Sequence, residues 1–410
     1  LVDDRRTDVA YADAFRAFAI FWVVVCHVIG TFPTSADGFA AELEQVGGWG
    51  VAFFFVLSGF LLGRPYLRAV LHPPERAFPS TKRFLTRRFY RIVPLYVFAV
   101  AVTAFAAYVD HRHVSALNIA LHLTFLHGFF PAYDAAPFGP LWTMAVDAQF
   151  YLTLPLLAYA VYAILRTQAP QTRLRGLVAV LIGTIVASVA FRYAMVLREP
   201  RVLADFDTSL VYVRNVVGMA ASFSLGALLA LAIDCGRRVG RRWHLAALVA
   251  GSALAILSCV LGVHGDPRTR MVFGDVLAAV SAVLLLWGSL EGRFPVLAWI
   301  ARSPVTSTVA ALSYAIYLLH KPLLVGVRHV FDVHGHLRTP LDIALMCAVT
   351  AILLGIAAAI AHHLVEKPLL RERDRHRESE PAPRTRVAAA PPAAAPAVVE
   401  KKQPVCEAVA

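Results

Sequence analysis

Two ionisable residues, Arg16 and His27, interrupt the first long apolar run of this chain. Ionisable side chains are costly in such a setting, so they are candidate functional groups. They stand eleven residues apart. On a helix they would differ by only ~20° around the axis and lie ~16 Å apart along it. A guanidinium at one end of that face can hold a phosphate or a polarised carbonyl. A neutral imidazole further along can take a proton from an attacking hydroxyl. The pair could equally be a snorkelling anchor and an interhelical hydrogen-bond partner. Spacing alone weighs the two readings evenly.

Other residues of the same kind follow. Arg88 and Arg91 are three apart and share a helical face just before Pro94. They suit a basic mouth for a phosphorylated donor, or a plain cytoplasmic anchor. Asp147, in the run Leu141-Trp142 to Phe150-Tyr151, needs a cationic or hydrogen-bonding partner, which a His or Arg from another helix would supply. His320 closes the run Ser313-Tyr314-Ala315-Ile316-Tyr317-Leu318-Leu319 beside Pro322. Ser58 lies in Leu57-Ser58-Gly59-Phe60, which lacks the small-residue elbow of a hydrolase nucleophile, so helix packing is its better reading.

The elements that must position these residues are membrane helices. The chain has 410 residues, 58% hydrophobic and only 16% charged, with a mean hydropathy of +0.62. Soluble domains carry about 25% charge. Backbone in lipid must satisfy itself, which leaves helices or closed barrels. The runs show no period-2 alternation, so the expected fold is an all-α, polytopic transmembrane bundle. About ten spans are placed at 13–31, 48–68, 89–109, 141–165, 174–196, 211–234, 243–263, 271–290, 307–328 and 340–365. Arg16 and the absence of a small-residue cleavage site before Pro33 favour an uncleaved first helix over a signal peptide.

Orientation follows from the loops. Arg68, Arg76, Lys82, Arg83, Arg87 and Arg88, then Arg166, Arg173 and Arg175, then Arg237, Arg238, Arg241 and Arg242 fall in alternate loops, while 32–47 holds no Lys or Arg. The positive set is expected in the cytoplasm, with both termini. Arg192, Arg198 and Arg201 run against the rule. The segment 110–140, with His111, His113, His122 and His127, reads as a short or re-entrant helix at the outer face. The domain boundary is set at 1–369, followed by a basic, then Pro- and Ala-rich disordered cytoplasmic tail over 370–410.

The net charge of +12 matches basic loops between apolar runs rather than a nucleic-acid surface. Cys26, Cys235, Cys259, Cys347 and Cys406 show no metal spacing and read as reduced packing residues. No metal site and no bound cofactor are expected.

Taken in order, the motifs resemble the membrane-bound acyltransferase-3 family, whose members include bacterial O-acyltransferases acting on surface polysaccharides and macrolide-type products. The resemblance runs from about residue 11 to 369. It rests on Arg16 and His27, Phe53-Phe54-Phe55-Val56-Leu57-Ser58-Gly59-Phe60, Arg87-Arg88 to Pro94 and Tyr96, Leu141-Trp142 to Phe150-Tyr151, Ser313-Tyr314 to His320 and Pro322, and Glu366-Lys367-Pro368. The chain departs from the family pattern at Asp147, where Glu is usual, at Ala148, where a second acid is frequent, and at Ala52, where an acid is common.

The resemblance implies a multi-pass protein of the bacterial plasma membrane. It would transfer an acyl group, acetyl first, from cytoplasmic acyl-CoA as co-substrate to a hydroxyl of a carbohydrate, glycolipid or macrolide-type acceptor. It implies His27 as catalytic base with Asp147 as a second catalytic group, Arg16, Arg88 and Arg91 as donor-binding residues, and Ser58, Trp142, Tyr151, Tyr317 and His320 in support. The rival readings are a secondary transporter, which should show inverted repeats or paired broken helices, and a flippase or structural scaffold, which leaves Arg16, His27 and Asp147 without a purpose.

Overall fold

The computed structural model describes residues 2–31, 46–73, 75–134, 138–236, 240–292, 294–330, 340–369 and 371. Among them are ten helices long and apolar enough to cross a membrane, and no strand. They are α1 (Val2–Thr31), α2 (Gly48–Leu71), α3 (Thr81–Val109), α4 (Trp142–Leu165), α5 (Pro170–Arg198), α6 (Val216–Asp234), α7 (Arg241–His264), α8 (Pro267–Gly292), α9 (Pro304–Val330) and α10 (Pro340–Ala361). Each answers one expected span, and the chain is a polytopic membrane protein. Apart from Arg371, the expected tail lies outside the described residues, as does most of the loop 32–47.

Two boundaries moved for local reasons. Ser80 caps α3, its hydroxyl accepting the Arg83 amide hydrogen. The helix therefore starts well before the expected 89, and Arg87, Arg88 and Arg91 ride on helical backbone. At the other boundary, the Asn215 side chain accepts from the amides of Val217 and Gly218 at 3.0 and 3.1 Å. That cap starts α6 at Val216 and leaves Phe206–Tyr212 as a separate short helix.

Close packing of small residues holds the centre. A Cβ added at Gly59 of α2 would stand 1.9 Å from the Phe223 carbonyl oxygen of α6, and one at Gly226 only 2.0 Å from that of Val56. Backbones meet here because there is no side chain between them. Ring stacking of Phe150 on Phe223, at 3.9 Å, then ties α4 to α6. In α2 and α6, 61% of the most apolar stretch is buried, against 11% in α5. Exposed Val180, Ile182 and Val186 make α5 a lipid-facing wall.

Ion pairs knit the bundle at several levels. Asp234 at the end of α6 receives Arg64 and Arg68 of α2 at 2.6–2.8 Å. Arg192, expected near the outer end of the span 174–196, is fully buried within α5. It pairs with Asp275 of α8 at 2.7 Å, while Arg201 pairs with Glu199 at the surface. The exception to the charge rule is thereby reduced, because Arg192 is an interior residue.

The segment 110–140 folds into a helix over Ala116–Leu123, a single turn at His127–Phe129 and a further turn over Pro131–Asp134. His122 and His127 are buried and stack face to face at 3.9 Å. After α10 the backbone widens into a π-turn over His362–Glu366, where His362 Nδ1 and Glu366 are 2.8 Å apart. Cys26, Cys259 and Cys347 are reduced, whereas Cys235 is disulfide-bonded, which corrects the expectation of a wholly reduced set.

Candidate active site

Two cavities lie along the bundle interior, and α1 runs past both. The arginine cavity, of about 130 Å³, is lined by Arg16, Ser58, Arg88, Arg91, Asp147 and Tyr151, with Phe54, Phe55 and Tyr314 as apolar and aromatic wall. The histidine cavity, of about 670 Å³, is lined by His27, Trp142, Arg214, Arg270, Asp275 and Lys321, among others. Val51 and Tyr317 line both, so these two side chains form the partition.

In the arginine cavity, α1, α3 and α4 each bring charge. Arg16 holds Asp13, one turn earlier, at 2.7 Å. Arg88 packs over the Phe84 and Tyr151 rings at 6.0 and 5.9 Å, where a cation gains from the ring face. Asp147 takes the Tyr151 hydroxyl, one turn ahead on α4, and has Arg88 as its neighbouring cation. An arginine is one of the two partner types its sequence position called for. Asp147 Oδ1 and Arg88 Nε are buried and meet no hydrogen-bond partner among the described residues. Buried polar atoms are rarely left so, and a pair facing a cavity is poised for a ligand.

His27 is held differently. Its Nδ1 lies 2.8 Å from the Val23 carbonyl oxygen. A carbonyl only accepts, so Nδ1 carries the proton and Nε2 presents its lone pair. His320 of α9 stands edge-on to this ring, 4.9 Å between centroids. It is fully buried, its own Nδ1 directed to the Tyr317 carbonyl at 2.6 Å. The Tyr317 hydroxyl donates to Pro140 O at 3.0 Å and accepts from Thr143 at 2.9 Å, fixing the ring in the partition.

The structure thus divides the predicted set. Arg16, Ser58, Arg88, Arg91, Asp147 and Tyr151 share one cavity. His27 and Trp142 line the other, with His320 behind His27. Asp147 and His27 therefore do not meet in one cavity. Gly59 accounts for the packing role assigned to its segment, while Ser58 beside it lines the arginine cavity. Sequence reasoning missed Asp275, Arg214 and the buried Arg192. Asp275 and Arg192 carry the same signal as Arg16 and His27, since both are ionisable and sit within spans. It also read Arg83 and Arg87 as anchors alone. They line a third cavity of about 320 Å³ that shares Leu61, Leu62 and Arg88 with the arginine cavity.

A basic pocket and an imidazole lie on opposite sides of a two-residue partition, within a bundle of membrane-spanning helices. The acyltransferase-3 family, described as an acyltransferase domain, matches residues 9–362, and the chain belongs to it as a membrane-bound acyltransferase. The chain is 27% identical to the protein assigned as membrane-bound transacylase BcsY of Komagataeibacter xylinus, over 89% of this chain and 83% of that one. It is 21% identical to O-acetyltransferase OatA of Staphylococcus aureus, over 87% of this chain and 56% of that one. A Caenorhabditis elegans protein named regulator of hypoxia-inducible factor 1 is 24% identical over 90% of this chain and 81% of its own length. No solved structure matches the chain.

Proposed function

We propose that this chain moves an acyl group, acetyl in the first instance, from cytoplasmic acyl-CoA to a hydroxyl of a carbohydrate-type acceptor on the opposite side of the membrane. The placement of arginines and His27 on either side of the Val51–Tyr317 partition supports this reading most directly. The excess of Arg and Lys in alternate loops supports a cytoplasmic side for the arginine cavity and both termini. The relatives named as an O-acetyltransferase and a transacylase support the reaction type.

On this reading the donor's phosphates meet Arg83 and Arg87 in the third cavity, and Arg88 and Arg91 at the mouth of the arginine cavity. The thioester end passes between aromatic walls toward the partition. Asp147 and Tyr151 hold Arg88 in place rather than touching the acceptor. On the far side, His27 Nε2 takes the acceptor's hydroxyl proton as the oxygen attacks the thioester carbonyl. The C–O bond forms as the C–S bond breaks, and the coenzyme thiolate leaves on the arginine side. His320 packs the His27 ring into its orientation.

The test uses the full chain in membranes with labelled acetyl-CoA, with and without His27→Ala. Label moving into a glycan or glycolipid fraction, lost in the variant while expression and insertion persist, supports the proposal. Acylation unchanged in the variant would remove His27 from the chemistry. Solute movement without acetyl-CoA consumption would favour a transporter.

A further inference from the structure

The histidine cavity has a charge pattern that acyl transfer alone does not require. Around its wall stand Asp205 and Arg214, with Arg270 and Asp275 of α8 and Lys321 of α9. Asp275 is reached by two guanidinium groups. Arg192 Nη2 bonds its Oδ2 at 2.7 Å, and Arg214 Nε lies 3.5 Å from the same oxygen. Arg192 is completely buried and carries three further contacts. Its Nε donates to Met271 O at 3.1 Å and its Nη1 to Gly218 O at 3.3 Å, while Nη2 also donates to Met271 O. It is therefore a fixed post, with its donors spent on backbone and one carboxylate.

That arrangement leaves the wall positive. One carboxylate stands between two cations, so the negative charge of Asp275 is shared. The other acid, Asp205, is committed to its own backbone, its Oδ2 accepting the Thr208 amide at 2.9 Å and the Thr208 hydroxyl. Arg270, tethered to Gly262 O at 3.1 Å, and Lys321 beside Gly139 add charge from α8 and α9. Four cations, Arg192 included, thus meet two carboxylates that are both engaged. Guanidinium groups bind carboxylate and phosphate in bidentate fashion, and a partly enclosed wall screens such contacts less than water would.

We propose that the histidine cavity selects an acceptor carrying an anionic group, carboxylate or phosphate, near the hydroxyl to be acylated. Arg214 is its binding residue, and Asp275 and Arg192 are positioning residues that aim Arg214. The proposal rests on the acyl-transfer reading and names the substrate class of the same site. The anion could be a uronate carboxylate within the acceptor or a phosphate that links the acceptor to a lipid. Both place a charge a few ångströms from a sugar hydroxyl.

The experiment uses the full chain in lipid nanodiscs with three hydroxyl probes: methyl glucoside, methyl glucuronide and glucose 1-phosphate. Binding of each radiolabelled probe and transfer of labelled acetyl from acetyl-CoA are measured separately. One or both charged probes should bind and be acetylated at least roughly tenfold better than methyl glucoside, the scale of one charge-assisted contact. Which of the two leads separates a carboxylate acceptor from a phosphate one. Arg214→Gln should raise the KM for the charged probe and leave the KM for acetyl-CoA unchanged. Arg214→Lys should keep most of the preference, and Asp275→Asn should raise the acceptor KM with little change in kcat. Equal use of methyl glucoside, or Arg214-independent binding of the charged probes, overturns the proposal. Arg214-dependent binding with no acetylation of any probe would overturn the acyl-transfer reading while leaving an anion site.

Discussion

The arginine and histidine cavities share two side chains and little else. The first is small, about 130 Å³, walled by aromatic rings, and contains buried polar atoms without partners at Asp147 and Arg88. The second is about five times larger, and its two carboxylates are already engaged by neighbouring groups. The narrow cavity leaves hydrogen-bonding capacity for what enters it, while the broad one has most of its capacity organised beforehand. A slender donor of fixed chemistry fits the first, and a bulkier acceptor held by charge fits the second. The comparison also shows why α1 and α9 are central, since each carries titratable or charged residues into both cavities, Arg16 and His27 on α1, and Tyr314 and Lys321 on α9.

Substitutions can break this contrast, and the largest effect belongs to His27. General-base help is worth about 10²–10⁴-fold, so His27→Ala should lower acetyl transfer by that factor without changing the KM for acetyl-CoA, measured with labelled donor. Next comes Arg88→Leu, which removes a charge-assisted contact worth about 1.5–3 kcal/mol. It should raise the donor KM tenfold or more, with the acceptor KM unmoved. If the acceptor KM rises instead, the two cavities are not functionally separate.

Smaller effects concern the frame. Gly59→Ala places a methyl where the Phe223 carbonyl oxygen already stands. Overpacking of this kind destabilises by about 1–3 kcal/mol, which should appear as a lower Tm with both KM values little changed.

The smallest effect at neutral pH is at His127, away from both cavities. Burial, then the neighbouring His122, pushes its pKa down to about 3 from the usual histidine value of 6.5. The unfolded chain therefore binds the extra proton between these limits, and the folded chain does not. The stability that depends on a neutral His127 is full above pH 6.5 and is lost as pH falls toward 3. His127→Phe keeps the stack without the proton, so its Tm should fall less between pH 6.5 and 4 than that of the parent chain.

Most of the fold was legible because lipid imposes a simple rule on backbone. An apolar run near twenty residues must be a helix, and ten such runs were counted in place. What hydropathy could not locate were ends set by single caps, as at Ser80 and Asn215. The arginine cavity was legible in Arg16, Arg91 and Asp147 because an ion inside a span announces itself. Arg192 lay inside the expected span 174–196, but it was grouped with Arg198 and Arg201 as outer-side charge, so a buried cation went unread as an interior residue. The division into two cavities had no linear signal. It depends on which helices face each other, and that is set by close contacts such as Gly59 against Phe223.

The Val51–Tyr317 partition has an electrical consequence for the proposed reaction. The acceptor hydroxyl gives up its proton on one side of it, and the coenzyme thiolate gains one on the other. If His27 passes its proton back through the partition, each turnover moves no net charge. If the proton leaves on the acceptor side, each turnover is equivalent to carrying one positive charge out of the cell. Working against the membrane potential then costs about 2.3 kcal/mol per 100 mV. In sealed vesicles, a transfer rate that responds to an imposed potential would show the second route, and an indifferent rate the first. Two side chains shared between cavities thereby decide whether this chemistry is coupled to the energised state of its membrane.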